Sequence, residues 1–243
     1  MKYVIEFSKT GTICYTSHLD IMKVFQRSFK RAGIELAYSQ GFNPHPKMGF
    51  AQPLSLGYEA LEEFIEFETD IAYDARNVSD QVILDEMRKL MPEGLDLKSI
   101  KRNEDMKKTL AADTDAAEYT AIIPMDTGSL GMTQVQLWEK YMGQDEIITL
   151  KKQKQKKKGR GRGPKTEIVM VETNIKPKIR ELIFTVRPDE LKLDMLLDSG
   201  SVSNLSPELV ITTVIECLGQ DVDRSEVAVT RNRIIFNNYD TGH

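Results

Sequence analysis

Cysteine is scarce in this chain, and its scarcity excludes several kinds of chemistry. The two cysteines, Cys14 and Cys217, lie far apart and match no metal-binding or redox spacing. No hydrophobic run approaches the length of a membrane helix, and no basic-then-apolar leader opens the sequence. Catalytic signatures of the Gly-x-Ser-x-Gly or cysteine type are also missing. We therefore expect a cytoplasmic protein with reduced, buried cysteines and no metal or cofactor bound by this chain.

What the chain does have is an uneven distribution of charge. Its 243 residues are enough for one large domain or two small ones, and the formal net charge is -4. Residues 151–165 hold nine lysines and arginines and no acid, and removing these from the 33 basic residues leaves 24 against 37 acidic ones. A basic segment on an acidic body favours contact with a polyanion such as RNA. The alternative is a solvated, disordered loop without a partner.

The first elements of the chain read as a strand and a capped helix. KYVIEF alternates apolar and polar residues, as a half-buried strand does. Ser17 is a good N-cap with Asp20 three residues later, and Gly33 is a left-handed stop. The expected buried stripe consists of Met22, Phe25, Phe29 and Ala32, and the opposite side carries Lys23, Arg27, Lys30 and Arg31.

The remainder of the first half completes a β-α-β-β-α-β order. GFAQPLSLG reads as a strand interrupted by Pro53, and residues 63–70 alternate as the next strand. A helix over about 80–91, ended by Pro92 and Gly94, precedes the strand LDLKSI. This order is typical of the ferredoxin-like fold, and the polar stretch 101–115 marks a domain boundary.

The second half repeats this order of strands and helices. The strands are expected in EYTAIIP, DEIITL, TEIVMVET, IRELIFTV and EVAVTRNRIIF, with helices in TQVQLWEKYM and from Ser206 to about Leu218. Residues 151–165 form a long basic loop between two of these strands. The sequence therefore predicts an α+β protein of two tandem ferredoxin-like (βαββαβ) halves, 1–102 and 116–243.

The loop after the first helix is the best candidate for a working surface. In Asn43-Pro44-His45-Pro46 each proline disfavours helix in the residue before it, so the segment should be extended and stiff. It offers a stacking ring, an amide, a titratable ring and a cation, the groups that contact an unpaired nucleotide. The predicted RNA-binding residues are Arg27, Arg31, Ser39, Gln40, Phe42, Asn43 and Lys47. The alternative is a structural turn with His45 merely exposed.

His18 and His45 are the candidate catalytic residues. The positive end of the helix dipole should keep His18, in the first helical turn, neutral, as a general base must be. The alternative for His18 is a structural imidazole bonded to a neighbouring backbone group or to Asp20.

The segment SHLDIMKVFQRSFKRAGIELAYSQGFNPHPKMGFAQPLSLG resembles the radical-SAM-linked domain of unknown function, a separate protein or a C-terminal extension of cobalamin-type radical SAM proteins. The matching residues are Ser17, His18, Leu19, Asp20, Arg27, Ala32, Tyr38, Ser39, Gly41, Phe42, Asn43, Pro44, His45, Pro46 and Gly57. A weaker likeness lies at 174–179, where Asn174 and Lys176 stand in place of the family's usual aspartate and arginine.

The resemblance implies a role near RNA or ribosome maturation, because such proteins tend to be encoded beside radical SAM proteins, a ribonuclease of the E/G type and ribosomal proteins. Two isolated cysteines cannot supply the thiolate ligands of an iron–sulfur cluster, so S-adenosylmethionine and the cluster would be on a partner.

Three hypotheses follow. The first is an RNA-binding accessory protein that positions ribosomal or transfer RNA for a radical SAM enzyme, with no membrane or DNA partner. The second is a metal-independent enzyme that processes RNA by acid–base catalysis with His18 and His45. The third is a protein–protein adaptor whose loop docks the radical SAM partner.

Overall fold

A computed structural model describes residues 1–103, 107–157 and 165–242, and their side chains apart from those of 152–157 and 165–168. The strands are β1 (Lys2–Lys9), β2 (Met48–Phe50), β3 (Glu59–Glu68), β4 (Leu95–Arg102), β5 (Thr114–Pro124), β6 (Ile148–Lys157), β7 (Lys165–Asn174), β8 (Ile179–Arg187), β9 (Glu190–Asp198) and β10 (Ala228–Phe236). The helices in this part of the chain are α1 (His18–Arg31), α2 (Ile71–Asp74), α3 (Asp80–Arg88), α4 (Leu110–Asp113), α5 (Gln134–Met142) and α6 (Pro207–Leu218).

The architecture is mixed α+β around a mostly antiparallel sheet. Its strand order is β4-β1-β3-β10-β5-β9-β8, with β2 pairing β3 beside this path. One pairing is parallel: β10 meets β3 at Thr230 opposite Glu59 and Arg231 opposite Ala60. Strands β6 and β7 form a separate two-stranded sheet. A two-residue parallel contact therefore joins the sheet of the first half of the chain to that of the second.

Each half of the chain buries its own apolar cluster. The first cluster lies between the sheet and helices α1 and α3, and includes Phe7, Phe25 and Phe67. The second includes Leu193 on β9 and Val214 on α6. Tyr58 belongs to the second cluster and a third cluster joins Phe64 to Ile234, so the predicted domain limits at 102 and 116 stay a prediction.

Helix α1 confirms most of what its sequence predicts. The Ser17 side chain accepts a hydrogen bond from the Asp20 backbone N–H, and α1 ends at Arg31, before Gly33 in the left-handed conformation. Phe25 and Phe29 are fully buried. The predicted stripe is shifted slightly, because Met22 and Ala32 are half-buried whereas Ile21 and Ser28 are buried.

The predicted strand in GFAQPLSLG is wrong beyond its first residues. Strand β2 ends at Phe50, and residues 51–57 continue as a loop over the junction of the halves. Pro53 has no N–H for a sheet ladder, and the carbonyl oxygens of Gln52 and Pro53 accept from the Arg231 side chain instead. The following strand also starts earlier than predicted, at Glu59.

Two further expectations about the second half need correction. Residues 151–157 lie in β6, paired with β7 from Lys151 opposite Val171 to Lys157 opposite Lys165, and do not form the predicted loop. The remainder of that loop, 158–164, lies outside the described residues. Strand β9 was not predicted, although ELKLDMLLD alternates buried and half-buried residues along its length.

The boundary stretch and the cysteines also differ from expectation. β4 extends to Arg102, and α4 occupies part of the predicted linker, whose residues 104–106 lie outside the described ranges. Cys14 is buried as expected, but Cys217 is only half-buried, and both thiols are free. None of the described helices is long and apolar enough to cross a membrane.

Gly94, at the start of the last strand of the first half, gives a test of this architecture. Its φ is +85°, and a Cβ added there would lie 2.3 Å from the Thr10 carbonyl oxygen. Gly33, at φ +70°, has nothing within 4 Å. We expect Gly33→Ala to cost the left-handed strain alone, about 1–2 kcal/mol of the unfolding free energy, and Gly94→Ala to cost clearly more. Urea denaturation of both variants measures this, and equal losses would contradict it.

Candidate functional site

The loop over residues 39–47, called here the NPHP loop, is closed by hydrogen bonds at its base. The Ser39 backbone N–H donates to the His45 carbonyl oxygen over 2.8 Å, and the His45 N–H donates to Ser39 Oγ over 3.0 Å. Tyr38 and Pro46 form an isolated bridge, and the Lys47 N–H donates to the Ala37 carbonyl. The five residues 40–44 are therefore presented from a fixed, hairpin-like base, which Ser39 closes with its backbone and side chain.

The tip of the NPHP loop exposes an aromatic ring to solvent. Phe42 has a relative exposure of 112%, the largest value among the exposed large hydrophobic residues of the described chain. Gln40, Asn43 and His45 are also exposed, and Tyr38 beside the base is 55% exposed. An exposed phenylalanine gains nothing for the fold by burial, so its ring is free to bind a partner.

The basic residues among the predicted RNA-binding residues differ in whether they are exposed or held in an ion pair. Arg27 and Arg31 are exposed on α1. The Phe29 and Phe67 rings are 4.5 Å apart, and Phe67 pairs with Met48, so the C-terminal end of α1 lies at the end of β2 from which the loop emerges. Lys47 is engaged in an ion pair of 2.6 Å with Glu68.

His18 lies at the other end of α1, away from the NPHP loop. Its ring contacts that of Phe50 edge-on at 5.1 Å, and it lines a small cavity with Lys9, Gln52 and Glu63. Asp20 is held by Ser17 and Lys23. His45 does not line that cavity, so the structure does not gather the two predicted catalytic histidines around one pocket.

Burial, together with two nearby cations, determines the pKa of His18. Burial is the largest influence, and the charges of Arg231 and Lys9 add to it, so the pKa of His18 is lowered from its ordinary value. The sequence argument expected a neutral imidazole from the helix dipole. The structure gives a neutral imidazole mainly by desolvation.

A fully buried ion pair stands beside this histidine. Arg231 is 1% exposed, and its Nε and Nη2 donate to the two carboxylate oxygens of Glu63 over 2.5 and 2.6 Å. Two of the three remaining guanidinium hydrogens reach the carbonyls of Gln52 and Pro53. Burial opposes the charged form of Arg231 most strongly, but the Glu63 carboxylate and Tyr119 together outweigh it and raise the pKa of Arg231. The pair ties β10 to β3 and to the loop after β2.

Lys9 is the second buried cation of this cluster. It is 4% exposed, and its Nζ donates to the carbonyl oxygens of Cys14 and Thr16 over 3.0 and 3.1 Å. Burial lowers its pKa. Sequence reasoning missed Lys9 and Glu63, although strand alternation places both on the inward face, with Phe7 and Ile65 respectively.

Asn174 has a structural role at the foot of the β6–β7 hairpin. Its Oδ1 accepts from the backbone N–H groups of Ile147 and Lys176, over 3.2 and 3.1 Å. A short 3₁₀ helix, Lys176–Lys178, follows. An acceptor oxygen is what the position needs, and an amide supplies it as an aspartate would.

Comparisons with known proteins identify a family without a known activity. The family described as an uncharacterized protein conserved in bacteria (DUF2344) matches residues 2–207. This chain belongs to that family. No curated protein matches. A crystal structure of an unknown protein from Galdieria sulphuraria is 12% identical, covering 95% of this chain and 97% of that one, with a TM-score of 0.26. A likeness at that level carries no argument about function.

We expect His18 to titrate below pH 6.5. Because the unfolded chain takes up this proton more readily, His18 contributes stability that is present above the ordinary pKa of about 6.5 and is lost as pH falls below it. An NMR titration of the imidazole measures the midpoint. In Lys9→Met the midpoint should move up towards 6.5, because one cation has gone. A midpoint at or above 6.5 in the unmodified protein would contradict this assignment.

Breaking the buried ion pair should destabilise the protein strongly. Glu63→Gln leaves the Arg231 guanidinium buried without a counterion, which costs about 3–5 kcal/mol. Glu208→Gln is the matched control, since Glu208 pairs with Arg224 where both are partly exposed, and such pairs are worth about 0–1 kcal/mol. Urea denaturation compares the two, and similar losses would refute the assigned role of the buried pair.

Proposed function

We propose that this protein is an RNA-binding accessory protein whose NPHP loop contacts an unpaired nucleotide of ribosomal or transfer RNA. The observation that carries the proposal is the fully exposed Phe42 ring on a loop with a hydrogen-bonded base. Stacking of a base on such a ring is favourable for every base, and a fixed loop loses little entropy on binding.

Each neighbouring group has a stated task in this proposal. Phe42 stacks a base, and Asn43 and His45 contact the edge of that base. Arg27 and Arg31 hold phosphates from the exposed face of α1, and Gln40 adds a polar contact. Lys47 also meets a phosphate, in exchange for part of its ion pair with Glu68. Ser39 acts indirectly, by holding the base of the loop.

The proposed cellular role is to present RNA to a separate radical SAM enzyme in RNA modification or ribosome maturation. This part of the proposal rests on the family resemblance given above. The partner would carry the iron–sulfur cluster and S-adenosylmethionine, because the two cysteines of this chain are isolated.

We also interpret each half of the sheet as ferredoxin-like. The order β4-β1-β3-β2 in the first half and β10-β5-β9-β8 in the second have the same form once the β6–β7 hairpin is treated as an insertion. Two helices accompany each set of four strands, α1 and α3 in one and α5 and α6 in the other. In this interpretation the NPHP loop precedes the edge strand β2.

A catalytic role for the two histidines is less well supported. His18 lies half-buried in a cavity of about 20 Å³, large enough for one water molecule, whereas His45 is exposed on the loop. Acid–base cleavage of RNA requires both groups within hydrogen-bond reach of one substrate.

The direct test removes the exposed ring. Phe42→Ala should weaken binding of a pooled ribosomal and transfer RNA preparation about 5- to 150-fold, because stacking on one base is worth about 1–3 kcal/mol. Tyr15→Ala is the matched control, since Tyr15 is 74% exposed outside the loop. Filter binding at several salt concentrations measures both, and Arg27→Ala with Lys47→Ala should reduce the salt dependence.

Equal RNA affinity in the Phe42 and Tyr15 variants would overturn the proposed stacking role. If the protein binds no RNA but forms a salt-tolerant complex with a radical SAM enzyme, the adaptor hypothesis replaces this one.

A further inference from the structure

A cavity of about 420 Å³ lies at the foot of the NPHP loop. It is bounded by β2 and β3, the start of β1 and the segment 107–111 that leads into α4. Glu66 and Glu68 line it from the face of β3 opposite the one that Ile65 and Phe67 turn towards α1. We call it the β2 cavity. It is separate from the small cavity at His18, and its volume falls within the about 300–1,000 Å³ of small-molecule sites.

Lysines dominate the rim of the β2 cavity. Lys2, Lys47, Lys107 and Lys108 all line it, against the two carboxylates of Glu66 and Glu68. Glu68 is neutralised by Lys47 at 2.6 Å and approached by Lys2 at 4.0 Å. Lys107 and Lys108 are exposed. The rim therefore has an excess of positive charge, which suits a phosphate.

The inner wall of the β2 cavity suits a flat group, because Gly49 leaves the backbone of β2 uncovered. The side chains of Met48, Phe50 and Phe67 turn towards α1, so the backbone of β2 and β3 forms this wall, and a Cβ added to Gly49 would meet nothing within 4 Å. Gly49 lies in a strand without a positive φ, so its missing side chain is not required by the backbone. The glycine leaves open space that a larger residue in this strand would occupy.

Glu66 adds one hydrogen-bond acceptor to the wall of the cavity, which a ligand can contact. Its Oε2 accepts from the Leu110 backbone N–H over 3.2 Å, and burial raises the pKa of the carboxyl group. A carboxylate in such a wall accepts a hydrogen bond from an exocyclic amino group, as Glu does with cytosine N4. A flat wall, one acceptor and a lysine rim together match a nucleotide.

We propose that the β2 cavity holds one unpaired nucleotide of the bound RNA, with its base against Gly49 and its phosphate on the lysine rim. The proposal rests on the RNA-binding function above. Continuity supports RNA over a free nucleotide, because Lys47 both ends the NPHP loop and lines the cavity. An RNA strand with one base stacked on Phe42 therefore needs few further nucleotides to place another one in the β2 cavity.

The test fills the cavity without disturbing the loop. Gly49→Ile adds a side chain that favours strands into the open space. Ala228→Ile is the matched control, because it adds the same side chain at an exposed position of β10. Lys107→Ala with Lys108→Ala is a second variant that changes only exposed side chains. It allows the proposal to be tested even if Gly49→Ile fails to fold. Circular dichroism checks folding.

The probes are the four nucleoside 5′-monophosphates, inorganic phosphate and a single-stranded RNA 12-mer of mixed sequence. Saturation-transfer NMR measures the small ligands, and fluorescence anisotropy measures the RNA. We expect at least one monophosphate to bind more tightly than phosphate, and the 12-mer to bind more tightly than any monophosphate. Gly49→Ile should weaken binding of that monophosphate and of the 12-mer at least ten-fold, and the lysine variant should weaken both and reduce the salt dependence. Ala228→Ile should change neither.

The failure of this proposal is distinguishable from that of the proposed function. If Phe42→Ala weakens RNA binding but Gly49→Ile and the lysine variant do not, the loop binds RNA and the cavity proposal is wrong. Equal binding of phosphate and monophosphates would reduce the cavity to an anion site and overturn it as well. If a monophosphate binds and the 12-mer does not, the site takes free nucleotides, which contradicts both proposals.

Discussion

The buried contact between Arg231 and Glu63 is the interaction on which this structure depends. The sheets of the two halves meet in a short parallel pairing of β10 with β3, and such a pairing supplies few ladder hydrogen bonds. The guanidinium adds a bidentate ion pair across that junction and two further bonds to the carbonyls of Gln52 and Pro53. One side chain therefore fixes the sheet junction and the loop that follows β2.

The anchoring of the loop by Arg231 also fixes strand β2, which has a cavity on each of its two faces. The strand has only three residues, between the NPHP loop and the loop that Arg231 holds. On its α1 side Phe50 contacts His18, in the cluster with the buried Lys9. On the other side Gly49 opens into the lysine-rimmed cavity. A short strand anchored at one end in this way can present a loop at the other with little freedom, as a binding surface requires.

Local sequence patterns predicted the elements that depend on local interactions. The Ser17 cap, the Phe25 and Phe29 stripe and the stop at Gly33 follow from helix geometry and were found in place. Pattern reasoning failed where distant contacts decide. Pro53 lies in a loop because Arg231, far along the chain, binds its carbonyl. The basic segment 151–157 pairs as a strand because β7 lies beside it, against its charge-rich composition.

The candidate site shows the same division between local and distant information. The stiffness of the exposed segment around Phe42 and His45 follows from Pro44 and Pro46, which flank His45 in the sequence. The environment of His18 could not be predicted from residues nearby in the sequence, because its charged neighbours come from β1, β3 and β10. The inward positions of Lys9 and Glu63 were available from strand alternation, but the pairing of Glu63 with Arg231 required the fold.

The central claim is that the NPHP loop contacts RNA in the cell. Ultraviolet crosslinking in the native cell, followed by purification of the chain and mass spectrometry of crosslinked peptides, tests it most directly. The account predicts nucleotide adducts on peptides that contain Phe42 to Lys47, attached to a discrete ribosomal or transfer RNA site. Recovery of a protein partner without RNA, or adducts confined to peptides outside the loop and the β2 cavity, would contradict it.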